Sequence, residues 1–161
     1  MRKIKLFVLG LLLSCSLNAQ KSEEMVIAPE LYGYAVQFVA EGLDRGLNLS
    51  YDLFRNVDTL KFDHRIFLPN VGYYNPATGI VGISSQTLID SLITKSTVFH
   101  ELAHAVIGGY SRHSMKKGDI MYYNTPDTFF IYANDSIWSA KLDDLYQWIK
   151  EQNRKKYEIN R

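Results

Sequence analysis

One short run, H-E-x-x-H, constrains this chain more than any other feature of its sequence. It comprises His100, Glu101 and His104 and lies in an apolar stretch that is typical of a helix. In a helix, side chains four positions apart lie on one face, one turn from each other. Two imidazoles at that spacing can bind the same zinc ion, and Glu101 can reach a water molecule beside it. The run therefore predicts a zinc site whose chemistry is hydrolysis.

A hydrolytic zinc site needs a third protein ligand and one open position. The chain contains four histidines, and the next one after His104 is His113, nine positions further on. Gly108 and Gly109 lie between them, and glycine readily adopts the backbone conformations that end a helix and reverse the chain. His113 is therefore a candidate third ligand, although the spacing alone does not select it.

The segment from His100 to Tyr123 resembles the metzincin metallopeptidases, in particular the matrixin branch, which have H-E-x-x-H-x-x-G-x-x-H followed by a Met-containing turn. The resemblance implies that His113 is the third ligand and that Ser114 corresponds to the serine of the matrixin His-Ser pair. It also implies that Met121 forms an apolar floor beneath the metal, and that Tyr123 stabilises the oxyanion, as in astacin-like members. In the family six positions separate the second and third histidines, whereas nine do here.

The activity implied by this resemblance is that of a zinc metallopeptidase, which hydrolyses peptide bonds through a zinc-activated water. Zn²⁺ would be the cofactor, held by His100, His104 and His113, and Glu101 would accept the proton of the water and pass it to the leaving amine. The expected partner is a peptide or protein substrate, and we expect a monomer. The formal net charge of +1 gives no electrostatic case for nucleic-acid binding.

Hydrophobic periodicity and the resemblance together predict an α+β, zincin-like (metzincin-like) domain. In it a small mixed sheet packs on an N-terminal helix and an active-site helix, and a C-terminal helix follows. The strand over 79–84 is predicted to be the sheet edge that pairs with an extended substrate. The predicted elements are a helix over 29–46, strands over 57–60 and 62–68, a hairpin of 72–74 with 80–83, a helix over 87–107 broken near 94–96, and a helix over 135–155. The predicted core residues of these helices are Leu31, Ala35, Phe38, Val39, Leu43, Leu88, Leu92, Leu102, Ile137, Leu142, Leu145, Trp148 and Ile149.

The N-terminus has the layout of an export signal. A basic start is followed by an apolar run over residues 6–13, which is too short to span a bilayer. Residues 1–19 are predicted to be a signal peptide, which leaves residues 20–161 as a single metallopeptidase domain. Alternatively, residues 1–14 are a lipoprotein signal, and a lipidated Cys15 attaches the protein to a membrane. Either route predicts an exported protein, secreted or held in a bacterial cell envelope.

Three other interpretations of the motif are open from the residues alone. The first is a gluzincin-like site, in which a downstream carboxylate, Glu151 or Glu158, replaces His113 as the third ligand. The second is a zinc-binding pseudo-peptidase, or a surface binding lipoprotein without turnover, in which zinc only stabilises the fold. The third is a chain without metal, in which His100 and His104 are ordinary helix residues.

Overall fold

Four α-helices and a four-stranded sheet form an α+β fold in the described part of the chain. The computed structural model describes residues 24–67, 70–108, 113, 119–121 and 135–159. The helices are α1 (Pro29–Asp44), α2 (Ser50–Asn56), α3 (Ser91–Val106) and α4 (Asp135–Ile159). The strands are β1 (Val26–Ile27), β2 (Thr59–Asp63), β3 (Gly72–Asn75) and β4 (Ile80–Ser84), and a 3₁₀ turn (Ser85–Ile89) joins β4 to α3. The predicted α+β class with a small mixed sheet is confirmed.

The sheet has the strand order β1-β2-β4-β3. The first three of these strands are parallel, and β3 pairs antiparallel with β4. The predicted hairpin is confirmed, because Gly72 lies opposite Ile83 and Asn75 opposite Ile80. The prediction that 79–84 is a sheet edge is wrong, because β4 is paired on one side with β2 and on the other with β3. The antiparallel edge of the sheet is β3.

Helix α3, which carries the H-E-x-x-H run, is the most buried of the described helices. It packs against the sheet and against the other helices. It begins at Asp90, whose side chain accepts a hydrogen bond from the backbone N–H of Leu92 at 2.7 Å. It ends before Gly108, whose φ of 78° lies in the left-handed region that favours glycine. At the same end, the Asn56 side chain donates to the carbonyl oxygen of Ala105 at 2.7 Å. Both ends of the helix are therefore fixed by specific hydrogen bonds or backbone geometry.

Aromatic side chains join α3 to the helices on either side of it. Phe99 is fully buried, and its ring lies edge-on to Phe38 of α1 and to Trp138 of α4, at centroid distances of 5.3 and 5.6 Å. The predicted apolar stripes of α1 and α4 face this core, with the buried members Leu31, Ala35, Phe38, Val39, Leu142, Leu145 and Ile149. Among the described residues, no helix is both long and apolar enough to cross a membrane.

The structure corrects several details of the predicted helices. The break in the long helix lies at Asp90 and not near 94–96. The helix continues through Thr94 and Thr97, whose hydroxyls donate to carbonyl oxygens one turn earlier. This break changes the phase of the preceding turn, so the predicted core residue Leu88 is 56% exposed. The predicted core residues Leu43 and Ile137 lie at the margins of their stripes and are also exposed.

Two strands are predicted over 57–68, and the described residues 57–67 contain one, β2. Before it the chain forms α2, a helix that the sequence analysis missed. The signal for this helix is present in the sequence, because the buried residues Leu49, Leu53 and Val57 are spaced by four.

Asp63, the last residue of β2, accepts hydrogen bonds from Arg65 and Tyr73. These bonds hold the pKa of its carboxyl well below the usual range. Asp63 thereby ties the end of β2 to the edge strand β3.

Candidate metal site

Three histidines converge at the C-terminal half of α3. The Nε2 atom of His104 lies 3.1 Å from Nε2 of His100 and 3.2 Å from Nε2 of His113. All three ligand atoms lie within 4.8 Å of one another. His100 is buried, His104 is partly buried and His113 is exposed. Helix periodicity brings the first two together, while the chain after Gly108 returns His113 to them in spite of its nine-residue separation from His104.

The protonation of His100 is set by a backbone group. Its Nδ1 atom lies 2.6 Å from the carbonyl oxygen of Ile120. A carbonyl oxygen can only accept, so Nδ1 carries the proton and donates it. The neutral ring then has an unprotonated Nε2, whose lone pair points toward the other two histidines. A backbone carbonyl that accepts from the far nitrogen commonly orients metal-ligating imidazoles.

The spacing of the three nitrogen atoms fits a shared cation better than hydrogen bonding among the rings. Zinc–nitrogen bonds of about 2.0–2.1 Å at tetrahedral angles place neighbouring ligand atoms about 3.3 Å apart. Two of the three separations, 3.1 and 3.2 Å, are close to that length. A single N–H on His104 cannot point along both contacts at once, and without a proton or a cation between them the lone pairs would repel. The residues therefore fit a metal ion held by His100, His104 and His113.

Burial keeps these imidazoles neutral, which is the form that binds metals. Desolvation lowers the pKa of His100 to about 4, against a smaller opposing effect of its hydrogen bond to Ile120. Desolvation also lowers the pKa of His104 to about 3, with a further contribution from the two neighbouring histidines. Partial desolvation also lowers the pKa of His113. At neutral pH the cluster therefore offers three neutral rings, each with one unprotonated nitrogen atom that can bind a metal.

Glu101 is a buried carboxyl directly beside these ligands. Only 6% of the residue is exposed, and desolvation raises the pKa of its carboxyl to about 8. No hydrogen bond or charge from the described residues offsets this effect. A carboxyl with a proton affinity close to neutral pH can both take up and release a proton there, as a general acid–base group must.

The edge strand β3 covers the Glu101 side chain at Gly72. A Cβ atom added to Gly72 would lie 2.9 Å from both Cγ and Oε1 of Glu101, and 2.9 Å from Cγ2 of Thr97. Such distances are shorter than real side chains tolerate, so only glycine leaves room for the carboxylate at this place. The sequence analysis missed Gly72, because this contact joins positions 29 residues apart and has no local signal.

The other predicted site residues divide into three groups. Met121 is 2% exposed and belongs to the hydrophobic core, next to the residue whose carbonyl binds His100. The remaining histidine, His64, is not part of the cluster and contacts the Ser85 hydroxyl at 2.9 Å. Glu151, the alternative third ligand, is exposed and accepts from Gln147 at 3.1 Å. The predicted residues that fall outside the described part of the chain are Cys15, Ser114, Tyr123 and, as a side chain, Glu158. The described residues contain one cluster that can hold a metal ion, the three histidines.

Comparisons of the chain with protein-family models, with curated proteins and with solved structures gave no match. The assignment of a function therefore rests on the motif in the sequence and on the geometry of the site.

Proposed function

We propose that this chain is a zinc-dependent metalloendopeptidase with a zincin-like fold, a compact relative of the matrixin-type metzincins. The observation that carries the proposal is the convergence of the three Nε2 atoms of His100, His104 and His113, with the buried Glu101 directly after His100 on the same helix. Three imidazoles with a neighbouring carboxylate that binds no metal are the donor set of catalytic zinc sites, which keep one position open for water or substrate.

The roles of the residues follow from their positions. His100, His104 and His113 would hold Zn²⁺, with the His100 ring oriented by the Ile120 carbonyl. Zinc in such a site supplies a Lewis acid, which lowers the pKa of a water molecule and polarises the carbonyl of the scissile bond. Glu101 takes the proton of the attacking water and delivers it to the leaving amine. The low solvent exposure of Glu101 strengthens these charge interactions, because little water screens them.

The edge strand β3 is the part of the site that we assign to substrate binding. Among the described strands it lies at the end of the sheet next to Glu101, and its outer backbone edge has no strand partner. An extended peptide can add to such an edge through main-chain hydrogen bonds, with its side chains alternating between the site and solvent. This role replaces the one predicted for residues 79–84, whose backbone is already paired on both sides.

The proposal includes export from the cytoplasm. The basic and apolar pattern of the first 19 residues supports secretion, and Leu12-Leu13-Ser14-Cys15 supports anchoring by a lipid on Cys15. A peptidase outside the cytoplasm meets peptide or protein substrates without endangering the proteins of its own cell.

The direct test is cleavage of a peptide library by the purified full chain loaded with Zn²⁺. We expect cleavage that a chelator abolishes and that restored Zn²⁺ recovers, because the proposed mechanism needs the metal to activate the water and polarise the scissile carbonyl. The products, read by mass spectrometry, also give the side-chain preference on either side of the cut. Bound zinc without any cleavage would favour the pseudo-peptidase, and failure to bind zinc would contradict the proposed function as a whole.

A substitution at Gly72 tests whether β3 leaves the space that Glu101 needs. We expect Gly72→Ala to reduce kcat/KM by about 100-fold, because a misplacement of a catalytic group by about 1 Å has effects of that size. Zinc affinity should stay unchanged, since the three atoms nearest the added methyl group belong to Glu101 and Thr97 and not to a histidine.

The matched control for this substitution is Gly33→Ala. A Cβ atom at Gly33 would meet no atom within 4 Å, so the same chemical change there should leave both activity and zinc binding intact. Full activity of Gly72→Ala would contradict a close fit between β3 and the carboxylate, and loss of zinc from that variant would indicate a wider disturbance of the site.

A further inference from the structure

A partly buried ion pair joins α4 to the short segment that supports the metal site. Lys141 on α4 places its Nζ atom 3.1 Å from Oδ1 of Asp119. The side chains of Lys141 and Asp119 are only 16% and 17% exposed, respectively. Lys141 also contacts Asp144 at 3.4 Å, but the Asp144 side chain is 50% exposed. The pair with Asp119 is therefore the better shielded of the two contacts, and it connects residues 22 positions apart.

Asp119 immediately precedes the residue that orients a metal ligand. The carbonyl oxygen of Ile120 accepts the hydrogen bond from Nδ1 of His100 at 2.6 Å. That carbonyl belongs to the peptide unit between Ile120 and Met121, and both of these side chains are 2% exposed in the core. Apolar packing fixes the depth of this peptide, but packing alone is non-directional. The ion pair of Asp119 supplies a directional tether one residue before the carbonyl.

We infer that Lys141 is a positioning residue for the metal site, because its ion pair with Asp119 holds the Ile120 carbonyl in the orientation that directs Nε2 of His100 toward His104 and His113. This inference rests on the proposed metal site and deepens it. The chain of contacts runs from α4 through Asp119 and the Ile120 carbonyl to the His100 ring. It links the C-terminal helix to the geometry of the ligands on α3.

A second ion pair on α4 shows what a purely structural bridge looks like in this fold. Arg45, just after α1, contacts Asp143 at 2.7 Å, and the Asp143 side chain is 69% exposed. That pair also joins distant parts of the chain, but neither residue adjoins a ligand or its hydrogen-bond partner. It therefore provides a matched comparison. Asp143 lies on the same helix as Lys141, and replacing its carboxylate by an amide breaks the pair as Asp119→Asn breaks the other.

The test measures Zn²⁺ affinity by competition with a chromophoric chelator, using the full chain and two variants that break the inferred link. Lys141→Met removes the charge and keeps most of the length of the side chain. Asp119→Asn removes the carboxylate charge, keeps the shape of the side chain and leaves Lys141 in contact with Asp144. We expect Zn²⁺ to bind about ten-fold more weakly in both, at the lower end of the effect of outer-shell partners on metal sites. With Co²⁺ as the probe, the visible absorption bands should shift, and Lys141→Arg should restore both properties.

The controls are Asp144→Asn, which removes the more exposed contact of Lys141, and Asp143→Asn, which breaks the bridge to Arg45. Both should bind Zn²⁺ as the parent does. Unchanged affinity in Asp119→Asn would overturn the inference and leave the proposed metal site standing. Equal weakening in all four variants would also overturn it, because the effect would then come from general loosening of α4. A parent chain that binds no Zn²⁺ would overturn the inference together with the proposed function.

Discussion

Replacing Glu101 by Gln should reduce kcat/KM for peptide hydrolysis by about 100- to 10,000-fold while the protein still binds zinc. The size of the loss is that of a general acid–base group removed from its reaction. Zinc should remain because the ligands are the neighbouring imidazoles, and Gln has nearly the same shape as Glu in the space under Gly72. The measurements are kcat/KM on a peptide identified from the library and metal content by elemental analysis.

The same variant has a second expected effect that does not depend on turnover. Burial raises the pKa of Glu101 from 4.5 to about 8 in the metal-free chain. Between these pH values the folded chain retains a proton that the unfolded chain has lost, so this group lowers the stability of the fold as pH rises through that window. In the presence of chelator, Glu101→Gln should therefore melt above the parent at pH 8, and the difference should vanish as the pH approaches 4.

Glu41→Gln provides the control for both measurements, because Glu41 lies on α1, pairs with Arg45 and is not part of the histidine cluster. It should leave hydrolysis unchanged and should not raise the melting temperature at pH 8. Full activity of Glu101→Gln would exclude Glu101 as the general base. A melting temperature of Glu101→Gln below that of the parent would show that the carboxylate has a stabilising partner in the fold.

The parts of the site that could be predicted from the sequence are those set by local geometry. His100, Glu101 and His104 share one helix, and the spacing of four fixes their common face whatever the rest of the fold does. His113 was different, since the nine-residue separation leaves many paths open, and only the resemblance to a family pattern indicated it. The distance of 3.2 Å between its Nε2 and that of His104 is a result of the folded structure.

The parts that could not be predicted depend on contacts between distant segments. Hydrophobic alternation indicates that Ile80–Ser84 is a strand, but it does not give the strand order, so β4 was taken for an edge that β3 occupies. Likewise, nothing in the sequence around Gly72 indicates that the Glu101 side chain packs against this strand glycine. Lys141 belongs to a charged face of a predicted helix, and its pairing with Asp119 follows only from the docking of α4.

Replacing His113 by Ala should weaken zinc binding by at least about 100-fold, because removing a ligand exceeds the 10- to 100-fold effect of changing the partners behind ligands. The fold should persist, since His113 is the exposed member of the cluster and contributes no packing to the core. Zinc affinity by chelator competition and the far-ultraviolet circular dichroism spectrum measure the two expectations separately.

Two matched variants give this result its meaning. His64→Ala removes the one histidine outside the cluster, which contacts Ser85, and Glu151→Ala removes the carboxylate that a gluzincin-like site would use. Both should bind zinc as tightly as the parent. If Glu151→Ala loses zinc and His113→Ala keeps it, the third ligand comes from α4, and the resemblance to metzincins is wrong. We expect the opposite, in which His113→Ala loses zinc and Glu151→Ala keeps it. That outcome would mean that a loop three residues longer than the family pattern still brings its histidine to the metal. The chemistry of the site would then constrain the position of the histidine more strictly than the length of the loop before it.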